Sequence, residues 1–317
     1  MSNRFTLITF LFIIIFGYSN LIIAQSTRNG ITDTTPIKSN STISEKSHFK
    51  FDINYVNNSI YLGRADSLTL PYITPTIGYF DKSGFYISAS VGYLTSSTSK
   101  KIDYYSFDAG YEFDVTKKMS GSVTANKCIY QEGSKIVSSD VRGSLSASLT
   151  YDFNYFELNT GLSASFANKT DIGIDATISR SFYFGTDDKL WTITPKAMVN
   201  LSTLYFYEGY TSRSFSIKKL NTIPNIISVT SVTKVAQNKL TLMDIELFVP
   251  ISYDEKKWGV YCTPTLAFPQ NPIYTTTTST IKPRTGNTII KTEDSTPESE
   301  KNLSSRFFVE AGVYFKF

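Results

Sequence analysis

The sequence predicts an all-β chain, a transmembrane antiparallel up-and-down β-barrel of about twelve strands, with ten or fourteen as the alternatives. Three observations predict it. From His48 onward the hydropathy period is two. The alternating stretches run about 10 to 14 residues, matched to a tilted crossing of the hydrocarbon layer. Short and long connections alternate between them. Composition agrees, because aromatics form 15% of the 317 residues, with 23 Phe and 21 Tyr against 2 Trp, an excess suited to strands and membrane interfaces.

The chain opens with Arg4 and an apolar run from Phe5 to Phe16, then Leu21-Ile22-Ile23-Ala24 before Gln25. A basic start, an apolar middle and a small residue at the cut make residues 1–24 an export signal cleaved after Ala24. A membrane anchor is disfavoured because the apolar run is interrupted and no basic stop-transfer cluster follows. Residues 25–47 are rich in Ser, Thr and Asn without an apolar period, and read as a flexible periplasmic linker, too short for a plug.

The barrel then occupies 48–317. Phe85, Ile87, Ala89, Val91 and Tyr93 alternate with Tyr86, Ser88, Ser90, Gly92 and Leu94, and Val141 to Phe153 repeats the pattern with Ser144, Ser146, Ser148 and Thr150 in the polar phase. Adjacent strand residues point to opposite faces, so each stretch has one apolar and one small, polar face. The expected strands are roughly 49–62, 70–80, 84–94, 103–113, 118–128, 140–152, 155–166, 171–184, 190–201, 239–253, 257–268 and 305–317. Tight turns are expected at Asp81 to Gly84, Asp114 to Lys117, Asn154, Gly185 to Lys189 and Asp254 to Lys256. The intervening connections, around 63–69, 95–102, 129–139, 167–170, 202–238 and 269–304, are mostly longer. Aromatics flank the tight turns in five clusters, as an interfacial girdle requires. Arg180 breaks the phase, falling in line with outward Ile178 and Phe182, so a bulge or a strand boundary is expected there.

The polar phase places Asp108, Glu112, Arg142, Asp175, Lys196, Asp244, Glu246, Arg306 and Glu310 toward the lumen, among many Ser, Thr and Gly. One reading is a narrow, mildly acidic aqueous conduit for small cationic or neutral solutes. The other is a structural charge network, with Asp244, Glu246 and Lys196 on neighbouring strands. The long outer loops 202–238 and 269–304 are expected to filter or gate the passage, to bind a partner, or to shield the surface; 269–304 has the composition of exposed flexible loop, while Ile226 to Val235 alternates as a strand would.

The chain ends Arg306-Phe307-Phe308-Val309-Glu310-Ala311-Gly312-Val313-Tyr314-Phe315-Lys316-Phe317, with Phe307, Val309, Ala311, Val313, Phe315 and Phe317 in the apolar phase. Here the sequence resembles the bacterial outer-membrane β-barrel proteins, whose last strand alternates in this way and ends in Phe. The resemblance implies a bacterial outer-membrane location, contact with outer-membrane lipid, both termini in the periplasm, and a role for Phe307, Val309, Val313, Phe315 and Phe317 as the signal read by the barrel-insertion machinery. It implies no particular solute.

Other chemistry is sparse. The formal charge of +4 excludes a strongly basic nucleic-acid surface, and one His with two separated Cys excludes most zinc sites. No phosphate loop, dinucleotide fingerprint or HExxH pattern implies a cofactor. Membrane-embedded proteases and phospholipases of this size rest on a rim histidine, whereas His48 starts the first strand on the periplasmic side, so no catalytic residue is assigned. Cys128 and Cys262, on the fifth and eleventh strands, are too far apart in this order for a disulfide.

Overall fold

The computed structural model describes residues 46–317 apart from 66–68, 97–98, 187, 210, 212–225, 236–238 and 285. The expected export signal and residues 25–45 of the linker lie outside the described residues. The described chain forms a closed antiparallel barrel of twelve strands. In order these are His48–Val56, Tyr72–Phe80, Phe85–Ser96, Ser99–Thr116, Met119–Tyr130, Gly143–Asp152 and Glu157–Phe166, followed by three interrupted strands and two continuous ones. The eighth is Thr170–Ser179 with Phe182–Thr186, the ninth Lys189–Ile193 with Lys196–Ser202, and the tenth Thr241–Phe248 with Ile251–Glu255. Trp258–Pro269 and Arg306–Lys316 complete the ring. Each strand pairs with the next, and the last returns to the first through Phe51↔Phe315, Ile53↔Val313 and Tyr55↔Ala311. Closure leaves no free sheet edge along these paired spans, the condition for placing strands in lipid. Among the described residues no helix is long and apolar enough to cross a membrane.

The period of two is carried through the ring. Ile53, Ile77, Ile87, Phe107, Val123, Leu145, Leu162, Ile172, Ile178, Leu247 and Phe307 are exposed on the outer face, while Ser88, Ser106, Ser146, Ser163, Thr177 and Asp244 are buried on the inner one. Rings gather at the short-turn end, where Tyr151, Phe153 and Phe156 pack in sequence at centroid distances of 4.6 and 4.7 Å, the first pair edge-on and the second stacked, and Trp191, Tyr253 and Trp258 at 5.0 and 5.8 Å. The first tight turn closes on Asp81, which accepts from the Ser83 N–H, Ser47 Oγ and Tyr79 Oη, while Gly84 takes φ of 96°, open to glycine without strain.

The phase break at Arg180 is a strand interruption. Its N–H donates to the Pro195 carbonyl at 3.3 Å, and its guanidinium lies 5.2 Å from the Phe182 ring centre. On the following strands the Thr194 N–H donates to the Pro250 carbonyl at 2.9 Å and the Val249 N–H to the Pro264 carbonyl at 3.1 Å. Pro195, Pro250 and Pro264 therefore form an oblique line across three adjacent strands, and none has an N–H with which to return the bond.

Three connections differ from expectation. The loop expected at 95–102 is shortened, because Leu94↔Lys101, Thr95↔Lys100 and Ser96↔Ser99 continue the ladder. The first strand ends at Val56, and the residues expected to continue it fold back as a small hairpin, Ile60–Tyr61 with Arg64–Ala65. Residues 269–304, expected to be flexible, contain strands Thr275–Pro283 and Ile289–Asp294 and a helical turn, Glu298–Lys301. Thr275–Pro283 pairs on its other edge with Ile226–Val235, so the two long connections share one three-stranded sheet. Thr is β-branched and suits a strand, which a composition of Thr, Pro and charge concealed.

Candidate functional site

The lumen wall places most of the sequence-derived candidates. Asp108 on the fourth strand is buried and accepts from Asn126 Nδ2 at 2.8 Å. Across the eighth, ninth and tenth strands, Asp175, Asn200 and Asp244 form one row, and Asn200 Nδ2 donates to Asp244 Oδ1 at 2.7 Å. Glu246 lies one inward step along and pairs with Met198; Lys196 lies one step further, half-buried beside Phe248. Glu310 on the last strand accepts from Asn54 Nδ2 at 2.6 Å, and the same nitrogen donates to Tyr261 Oη at 2.8 Å, which in turn donates to Asp52 at 3.2 Å. The structure thus brings Asp175, Asp244 and Glu246 together and leaves Asp108 half a turn of the ring away. Glu112, near the short-turn end, and Arg306 are half-buried. Arg142 is set apart: it is exposed and precedes the sixth strand, which begins at Gly143.

The wall is uneven. The fifth to eighth strands line it with Ser122, Thr124, Asn126, Ser144, Ser146, Ser148, Gly161, Ser163, Gly173 and Thr177, all in the inward register. The remaining arc carries rings that the sequence reading did not single out. Tyr86, Tyr104, Tyr314 and Tyr261 lie over Gly110, Gly92, Gly259 and Gly312 on the neighbouring strands, each glycine being the register partner of its tyrosine. A Cβ at any of the four would run into the ring, so small and large residues interlock here as in designed barrels where an aromatic covers a glycine. The signal exists in the sequence only once the register is known.

At the long-loop end the connections meet over the mouth. Tyr61, Leu62, Val137, Val141, Leu204, Phe206, Tyr207, Met243 and Ile273 form one buried apolar cluster. Val137 comes from the connection between strands five and six, and Ile273 from that between eleven and twelve, half a ring apart. The cover therefore crosses the mouth. It is pinned at three points. Asp171 at the head of the eighth strand accepts from Thr203 Oγ1 at 2.6 Å and from the Tyr205 and Phe206 N–H groups at 2.8 and 2.6 Å, holding the helical turn at 205–209. Glu208 on that turn accepts from Lys169 Nζ at 2.8 Å and from the Val235 N–H at 3.2 Å, tying it to the outer sheet; the first of these bonds raises the Lys169 pKa. Buried Asp103 accepts from Tyr72 Oη at 2.6 Å and Ser134 Oγ at 2.8 Å, drawing residues 131–142 inward.

The fourth connection in the cover is the first loop, which supplies Tyr61 and Leu62. Its hairpin turns through Leu62 and Gly63, with φ of 50° and 73°, and a Cβ on Gly63 would stand only 3.0 Å from that of Asp244, so the hairpin tip rests on the outermost lumen carboxylate. Arg64, Asp171 and Glu300 were not among the sequence-derived candidates. Their roles depend on partners remote in the chain, which no local pattern marks.

A closed barrel with an apolar outer face, an aromatic girdle and polar groups turned inward has the architecture of a transmembrane β-barrel of the outer-membrane type. No family model matches it, and no curated protein does. Among solved structures it is similar to a KdgM porin, with a TM-score of 0.41 and 12% identity over 84% of this chain and 99% of that one. It is also similar to the outer membrane channel DcaP of Acinetobacter baumannii, with a TM-score of 0.29 and 10% identity over 86% and 96% of the two chains. BamA from Haemophilus ducreyi lacking POTRA domains 1–3 aligns with a TM-score of 0.31 and 9% identity over 86% and 71%.

Proposed function

We propose that the barrel is a narrow conduit for small cationic or uncharged solutes, covered at its long-loop end. The observation that carries this reading is the inner wall. A third of it, the fifth to eighth strands, is mostly small hydroxyl, amide and glycine residues, and its buried inward charges include Asp52, Asp108, Asp175, Asp244, Glu246 and Glu310 against Lys50, with Glu112, Lys196 and Arg306 half-buried. A barrel serving only as an anchor would fill that arc with interlocked side chains. Focused negative potential in a narrow, low-dielectric passage favours cations. The long-loop end faces outward and both termini the periplasm, with Phe307, Val309, Val313, Phe315 and Phe317 presented to the insertion machinery. The reading is non-enzymatic: His48, the sole histidine, stacks on Phe80 at 5.4 Å at the short-turn end.

Reversal potentials in a planar bilayer under a salt gradient test it. Cation preference is expected, reduced in a double variant Asp244→Asn, Glu246→Gln. Absence of single-channel current, both from the intact barrel and from one with residues 57–71 shortened to a tight turn, would refute the conduit. A surface-binding barrel is the second reading, favoured by the outer three-stranded sheet, where Val232 and Ile290 are 55% and 70% exposed. Removing that sheet would then abolish ligand capture and leave the barrel folded.

A further inference from the structure

Arg64 is the least expected charge in the molecule. It sits on the inward hairpin, its side chain 3% exposed, and both terminal nitrogens of its guanidinium are held by carbonyls while Nε faces a carboxylate. One terminal nitrogen donates to the Leu62 and Met243 carbonyls at 2.7 and 2.9 Å. The other donates to the Gln270 and Asn271 carbonyls at 2.8 and 3.0 Å. Nε lies 3.3 Å from Glu300 Oε1, and Glu300, itself buried, uses Oε2 to accept from the Ile273 N–H at 2.9 Å. Met243 belongs to the tenth strand, Gln270 and Asn271 follow the eleventh, and Glu300 precedes the twelfth, so three of the carbonyls and the carboxylate are provided by wall and loop rather than by the hairpin that brings the arginine.

We propose that this is a guanidinium-recognition cage, occupied in the covered state by the chain's own Arg64, and that a solute carrying a guanidinium group competes for it from outside. Only a planar fork of N–H donors meets four carbonyls and a carboxylate at once; an ammonium has three donors and no such plane. The occupant is tethered. Because the hairpin tip rests on Asp244, withdrawal of Arg64 lifts the tip from the outermost lumen carboxylate, and binding in the cage is coupled to uncovering the row Asp244, Asn200 and Asp175. The inference deepens the conduit reading by naming the solute class that its mouth selects, and the cage itself is testable without any current.

The test uses the full chain reconstituted in lipid vesicles, with variants Arg64→Ala and Arg64→Lys. Proteinase K cleavage at Tyr61–Leu62, buried in the covered state, is followed by mass spectrometry, and barrel folding is checked by heat-modifiable gel mobility. Both variants are expected to be cut at least tenfold faster than the unaltered chain, and guanidinium, but not ammonium at equal ionic strength, is expected to accelerate cleavage of the unaltered chain severalfold while leaving that of Arg64→Ala unchanged. Glu300→Gln, which keeps the residue's shape, is expected to accelerate cleavage severalfold, and it stands in if Arg64 variants fail to fold. Unchanged cleavage in folded variants, no acceleration of the unaltered chain by guanidinium, or equal acceleration by ammonium overturns the cage. Guanidinium-specific acceleration in the unaltered chain with no current in any variant supports the cage and overturns the conduit; current that rises in Arg64→Ala, and in the unaltered chain on adding guanidinium, supports both.

Discussion

Ala147 and Ser148 are neighbours on the sixth strand, and the fold assigns them to opposite solvents. Ala147 is exposed on the outer face between Val123 and Leu162, themselves 46% and 47% exposed, with no acidic residue in its row. It lies four residue steps along from the strand's first residue, Gly143. At about 3.3 Å per residue and a tilt near 40° this puts it about 10 Å below the outer end, close to the middle of an apolar band about 25 Å tall. An arginine there should cost about 2–4 kcal/mol, roughly thirty- to several-hundred-fold in the folding equilibrium. Ser148 faces the lumen between Ser122 and Gly161, and Gly161 pairs in turn with Asp175, so Ser148→Arg meets space and a carboxylate. Its cost should be under half that of Ala147→Arg. Urea unfolding in vesicles, followed by the fluorescence of Trp191 and Trp258, measures both. Equal costs, or a larger one for Ser148→Arg, would refute the assignment of faces and with it the lumen.

Gly110→Val should destabilise the barrel by about 1–3 kcal/mol through collision with the Tyr86 ring, and adding Tyr86→Ala should recover part of the loss in the same unfolding assay. Hydrogen bonds, chiefly from Ser83 and then from Ser47 and Tyr79, hold the Asp81 carboxyl well below its usual pKa. Its contribution is therefore complete above the ordinary carboxylate pKa near 4 and fades as pH falls through the lower folded value. The stability gap between the unaltered chain and Asp81→Asn should narrow from pH 5 toward pH 2; a constant gap would exclude the ionised turn. Deleting Phe317, whose N–H and carbonyl bond with Phe49, should lower the yield of inserted barrel in cells far more than it lowers unfolding stability in vitro; equal effects would leave the residue a structural one.

Much of the barrel was legible because a wall between lipid and lumen imposes its chemistry residue by residue. Ile87 and Ser88, or Leu145 and Ser146, declare their faces without knowledge of their partners. Even Arg180 declared an irregularity, though its cause, the facing Pro195, lies in another strand. The cover was not legible for the opposite reason. Ile60 and Tyr61 continue the alternation of the first strand and read as part of it, while the groups that capture Arg64 are backbone carbonyls of residues about 180 to 210 positions later in the chain. Carbonyls leave no mark in a sequence. Ile226–Val235 was visible as a strand, but its partner, Thr275–Pro283, was hidden by a composition that also suits disorder. The lumen candidates were placed by phase alone, and phase does not tell which rows adjoin, so the meeting of Asp175 with Asp244 through Asn200 needed the register.

The oblique line of Pro195, Pro250 and Pro264 gives the cylinder a crease. A sheet closed on itself resists bending because successive rungs share the load; here three adjacent ladders each lack one at the same level. Below the crease lies a panel bearing Trp191, Trp258 and the aromatic segment Phe182–Thr186, exposed along its length. Bending of the wall is therefore expected to concentrate at the crease, between that panel and the acid-lined chamber above it.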